Sequence, residues 1–160
     1  MRVAEIAIVA RDLQTKKAFI EIICDEIETF AEDLIFGRLK INNQLVVHLY
    51  GLAFTDKATR PSWDLVSQKL LGYIVLFNWD KPESYSTIRS TIDNLSTRYN
   101  LPMVVAANLQ NGSTRVPKQL VNVEFNLSDT SEFTFFNLSE PKSVKEVLVN
   151  LIDSVLKHTY

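Results

Sequence analysis

Apolar positions along the chain follow two periods in regular succession, one close to two residues and one close to 3.6. "VAEIAIVA", Val3–Ala10, reads as a first strand. Phe19, Ile23, Ile27 and Phe30 then fall at helical spacing, which predicts one helix reaching Phe30. "LIFGRLKI" and "QLVVHLYGLAF" read as second and third strands joined by a hairpin turn at Asn42-Asn43, where asparagine tolerates positive φ. Trp63, Val66 and Leu70 predict a short helix. "LGYIVLFNW" and "LPMVVAAN" are nearly continuous apolar runs, the pattern of strands buried on both faces of a parallel sheet.

Between those runs, Asp80, Pro82 and Glu83 form a capping-box start to a helix whose inner face is Tyr85, Ile88, Ile92, Leu95 and Tyr99. Residues 109–129 are polar and poorly periodic and read as loop with at most one weak helix. "FTFF" is a last strand. Ser139 is the expected cap of a final helix that buries Val144, Val147, Leu148, Leu151, Ile152 and Val155. The order β-α-β-β-α-β-α-β-(α)-β-α predicts an α/β fold of three layers: a six-stranded, mostly parallel sheet with one antiparallel edge strand and helices on both faces. Ligands of such sheets bind beyond the carboxyl ends of the strands, which directs attention to the loops after Val9, Gly51, Asn78 and Ala107.

Composition narrows the class. At 46% hydrophobic over 160 residues the chain can fill one core, so a single domain over 1–160 is expected. No apolar run is long enough for membrane insertion, and Glu5 interrupts the N-terminal run, which reads as a strand and not as a signal peptide. A net charge of −2 provides no basic field for nucleic acid. The single cysteine, Cys24, excludes an internal disulfide and fits a cytoplasmic location. His48 and His158 have no neighbouring Cys or second His in sequence, so no metal site is expected.

The first strand–helix turn sits where a phosphate-binding loop, G-x-x-x-x-G-K-[ST], would lie. In that register the chain has Ala10, Thr15, Lys16 and Lys17: the lysine is present, while both glycines and the magnesium-binding hydroxyl are absent. Together with "FGRLKINNQLVVHLYG", "LGYIVLFNWDKPES", "LPMVVAANLQN" and "SEPKSVKEVLVNLID", this turn resembles a small Ras-like GTPase. The resemblance is to bacterial predicted GTPases related to the gliding-motility and signal-recognition-receptor β-subunit types, and it covers nearly the whole chain. It implies a P-loop NTPase fold, a phosphate-binding role for Lys16, and a base-reading motif N-K-x-D at Asn108-Leu109-Gln110-Asn111.

The departures from that family concentrate in the nucleotide site. Lys17 falls on the magnesium-ligating position, and Ala31, near where the first switch threonine is expected, carries no hydroxyl. Phe54 replaces the glycine that senses the γ-phosphate, and Thr55 replaces the glutamine that orients the attacking water. Asn111 replaces the aspartate that accepts two guanine hydrogen bonds, and its amide offers only one acceptor. The expectation is a non-enzymatic pseudo-GTPase without cofactor that neither binds nor hydrolyses GTP and acts as a protein-interaction or regulatory module.

Phe36, Phe54 and Trp63 fall on the switch face, where aromatic side chains either anchor a partner or close over an empty pocket. The implied partner is a protein: a roadblock-type regulator or another copy of the fold. The alternative is a divergent nucleotide-binding switch or very slow NTPase of relaxed base specificity, using Lys16, Lys17, Asn108 and Asn111. Arg11, Lys16 and Lys17 could attract phosphate at the helix N-terminus or form a solvated basic turn.

Overall fold

The computed structural model describes residues 2–10, 12–31, 34–52, 69–79, 83–98, 100–109 and 131–159. The elements are β1 (Arg2–Val9), α1 (Leu13–Ile23), β2 (Glu26–Ala31), β3 (Leu34–Lys40), β4 (Leu45–Leu52) and β5 (Leu70–Asn78). They continue with α2 (Glu83–Arg98), β6 (Met103–Asn108), β7 (Ser131–Phe136) and α3 (Pro141–Thr159). The strands form one seven-stranded sheet in the order β2-β3-β4-β1-β5-β6-β7. β1 pairs in parallel with β4 and β5, and the parallel pairing continues through β6 to β7. Among the described strands, β3 alone runs against the direction of the others.

The expected six strands are thus seven, and the reversed strand lies one place in from the edge. Both corrections have the same source. The helix predicted to reach Phe30 ends at Ile23, where Cys24 leaves helical geometry at φ −93°, ψ 147°. Glu26–Ala31 then pairs antiparallel with β3. Ile23 and Ile27 stand four apart, which fits a helix. However, "EIET" also alternates, with Glu26 and Glu28 exposed around a half-buried Ile27. β-branched Ile27 and Thr29 favour the pleated surface, and the waiting edge of β3 supplies the ladder.

Other expectations shift by smaller amounts. Leu70 opens β5 and is not helical; Trp63 and Val66, the rest of that predicted helix, lie outside the described residues, as does the weak helix sought in 109–129. The hairpin turn is set by a side chain: Asn42 Oδ1 accepts from the N–H groups of Gln44 (2.7 Å) and Leu45 (2.9 Å). Ser139 is not the cap of α3. Its hydroxyl donates to Asn137 Oδ1 at 2.6 Å, and the helix starts at Pro141 with the Glu140 carbonyl accepting from Ser143 N at 2.9 Å.

Helices cover both faces of the sheet. Ile88, Ile92 and Leu95 of α2 pack with Val75, Phe77, Val105 and Phe133 on one side. On the other, Phe19, Ile20 and Ile23 of α1 and Val144, Val147, Leu148 and Leu151 of α3 pack on Ile6, Ile8, Ile74 and Val104. The whole of β6 is buried, and so is β5 from Gly72 onward, as their continuous apolar runs require. No helix among the described residues is long and apolar enough to cross a membrane.

α1 reaches the sheet through glycine. A Cβ on Gly37 would stand 2.5 Å from Ile20 Cγ2 and 2.6 Å from Cys24 Sγ, and one on Gly51 would stand 2.8 Å from Ile20 Cδ1. Gly37→Val should therefore push α1 off β3, at a cost of about 1–3 kcal/mol. Urea unfolding of the variant checks this.

Candidate functional site

Because β1, β4, β5, β6 and β7 run the same way, their carboxyl ends meet along one side of the sheet. Three of those ends carry a connected set of polar side chains. Asp12, between β1 and α1, is the N-cap of α1 at φ −80°, ψ 111°. Its Oδ1 accepts from Gln14 N at 3.0 Å and its Oδ2 from the Thr15 hydroxyl at 2.8 Å. Its main-chain carbonyl accepts from Lys16 N at 3.1 Å, closing the first helical turn.

The side chain of Asn78, the last residue of β5, stands near enough to the Asp12 carboxylate to help hold its pKa down. Asn78 Oδ1 in turn accepts from Asn108 Nδ2 at 3.1 Å, and Asn108 Oδ1 accepts from Leu138 N at 3.4 Å. The main chain runs beside this relay: Trp79 N donates to Asn108 O at 3.1 Å and Leu109 N to Phe136 O at 2.7 Å. Asn78, Asn108 and Leu138 thereby tie together the ends of β5, β6 and β7, with the Asp12–Thr15 cap beside them. Thr15, Asn78 and Asn108 are buried, where an unmade hydrogen bond is costly, so the relay fixes the relative positions of three loops.

Burial pushes the Asp12 carboxyl up, but the Thr15 hydroxyl, the Gln14 and Thr15 N–H groups and the Asn78 amide together outweigh it and leave its pKa below the usual value. A group depressed in this way stabilises the fold in full above its unfolded pKa of about 3.9 and loses that contribution as pH falls through the folded value. Asp12→Ala should destabilise by about 1 kcal/mol at pH 7, the ordinary value of a cap. The gap from the parent should narrow below pH 4. Urea titrations at pH 7 and pH 3 test both parts. Asp12 was missed: an aspartate directly before an apolar helix is a cap signal, but the comparison with a phosphate loop draws attention to the lysines after it.

The structure disperses the two lysines. Lys16 is 2% exposed, with its Cγ packed 3.2 Å from the point a Gly51 Cβ would occupy, between α1 and β4. Lys17 is on the solvent side of α1, 55% exposed, with its ammonium 3.9 Å from Glu21. Asn108 is 5% exposed and Leu109 8%. Asn111, Phe54 and Trp63 lie outside the described residues, as do Arg11 and Thr55. Ala31 ends the edge strand β2.

Phe36 stands apart from the relay. It is half-buried on β3, its ring 4.9 Å from His48 and 5.4 Å from Tyr50, on the adjacent strand β4. The Tyr50 hydroxyl donates to Glu5 Oε1 at 3.2 Å, and His48 Nδ1 lies 3.9 Å from the same oxygen. Burial, followed by the Glu5 charge and hydrogen bond, pushes Tyr50 up to about 12. Burial also lowers the pKa of His48, opposed by Glu5 and aided by Arg38. Cys24, half-buried beneath Gly37, is pushed up to about 12 by burial and by Asp25, so its thiol is inert at neutral pH. Among the described residues no three of His, Cys, Asp and Glu are grouped to hold a metal ion.

Compared with known proteins, the chain matches no family model and no curated relative.

Proposed function

We propose that the protein is a non-catalytic, GTPase-like interaction or regulatory module on a P-loop-type α/β scaffold, which neither binds nor hydrolyses GTP and meets a protein partner through the face that carries Phe36. The observation that supports this most is the Asp12 cap. A phosphate-binding loop leaves the first N–H groups of its helix free to hold an anion. In this chain a carboxylate already takes Gln14 N and the Thr15 hydroxyl. A phosphate would have to displace that carboxylate, or lie beside it against like-charge repulsion.

Two features add to the argument. Asn108, the one base-reading residue retained, spends its amide on Asn78 and the Leu138 N–H. Lys16 is packed away beside Gly51. Phe36, half-buried in an aromatic group with His48 and Tyr50, is an anchor of the kind that interface hot spots favour. The partner fits the description of a roadblock-type regulator or another copy of the fold.

Calorimetry with GTP, GDP, XTP and ATP, each with and without magnesium, tests this reading. No binding is expected down to about 100 μM, or roughly −5.5 kcal/mol. Tight binding of any nucleotide, lost in Lys16→Ala, would replace this reading with that of a divergent switch. For the partner, capture by the parent protein should be lost on Phe36→Ala while the melting temperature holds within a few degrees.

A further inference from the structure

At the opposite end of the sheet from the Asp12–Asn108 relay, the amino ends of β1, β4 and β5 and the last turns of α3 enclose an open groove of about 710 Å³. Its walls are aliphatic, with Val3, Leu71, Ile152 and Leu156 among them. Three of these are well exposed for large apolar side chains: Val3 at 46%, Leu71 at 42% and Leu156 at 53%. Leu71 is conspicuous because the strand it belongs to is buried from the next residue onward. An apolar surface gathered into a concavity of this size is the usual form of a small-ligand site.

The rim decides the chemistry. Asn42 and Gln44 contribute neutral amides, and among the described residues Arg2 is the one charged residue lining the groove. Among the described residues the Arg2 guanidinium forms no ion pair. An aliphatic trough whose described lining includes one cation without an ion pair is complementary to an apolar chain that ends in a negative group. We propose that this groove binds a single-chain anionic amphiphile of the fatty-acid type, its chain along Val3, Leu71 and Leu156 and its carboxylate against Arg2. The guanidinium suits a carboxylate because it can present two parallel N–H donors. This assignment stands independently of the nucleotide question, since the two regions are at opposite ends of the strands.

Calorimetric titration of the whole chain with decanoate, kept below its micelle concentration, tests the proposal, with decanol as the chain without charge and acetate as the head without chain. Saturable decanoate binding is expected, with decanol roughly tenfold weaker and acetate silent. Leu71→Glu and Leu156→Glu place a like charge on the wall and should each weaken decanoate by about tenfold or more. Arg2→Gln should bring decanoate down to the level of decanol. Both leucines are exposed, so the variants should keep the parent circular dichroism and melting temperature. Failure to saturate, or binding indifferent to all three substitutions, overturns the proposal. So does binding only to anionic phospholipid vesicles. A parent dimer that Leu156→Glu converts to a monomer, with no response to decanoate, would assign the groove to a second copy and overturn it as well.

Discussion

Phe136→Ala is expected to remove about 3–5 kcal/mol of stability, the range for deleting a buried aromatic ring and leaving a cavity. Phe136 is fully buried and ends β7, with its ring edge-on to Phe19 of α1, centroids 5.5 Å apart at 84°. Its carbonyl accepts from Leu109 N, which ties the end of β6 to β7. The ring belongs to the cluster shared with Val144, Val147 and Leu148 of α3, so its removal opens a space between two helices and the sheet. A domain holds only about 5–15 kcal/mol in total. At about 2–4 °C per kcal/mol for this size, the melting temperature should fall by roughly 6–20 °C. Thermal and urea unfolding followed by circular dichroism measure it, with Val149→Ala, at an exposed site, as the neutral control. A loss below about 1 kcal/mol would mean that Phe136 does not fill this space.

That ring also shows which parts of the fold were legible in advance. Strands covered on both faces announce themselves by unbroken apolar runs, and β5 and β6 stand where those runs are. α3 buries the face its 3.6-residue spacing selects: Val144, Val147, Leu148 and Leu151 are at the core, with Ile152 and Val155 half-buried beside them. Edges are harder. β2 has one face to bury and a short span, so its few apolar residues satisfy a helical period as well as a strand period. What distinguishes the two is the pairing edge of β3, which no local window contains. The candidate site divides in the same way. Asn108 drew attention through the resemblance to a base-reading motif, but its bond to Asn78 joins residues thirty apart in sequence. Asp12 was passed over, although an aspartate before an apolar helix is a cap signal.

The pair Asn78–Asn108 offers the most discriminating substitution. Asn108→Leu keeps the branched shape and the heavy-atom count but leaves Asn78 Oδ1 and the Leu138 N–H without their partners, at a cost of about 1–3 kcal/mol for each buried group. A total of roughly 2–4 kcal/mol is expected, with part of it regained in the Asn78→Leu/Asn108→Leu double variant, where an apolar pair replaces a broken polar one. Asn108→Asp should do no better, because an acceptor oxygen would then face Asn78 Oδ1 in place of the donor. An amide flip at Asn78 would relieve that contact only by turning its oxygen toward the Asp12 carboxylate. Repeating the unfolding curves with saturating GTP separates structure from base reading. A ligand bound to the native state at a hundred times its Kd adds about 2.7 kcal/mol. If Asn108 serves only the relay, the parent curve does not move with GTP and the loss in Asn108→Leu is the same with or without it. If Asn108 still reads a base, GTP stabilises the parent and not the variant, and the apparent loss grows by that amount.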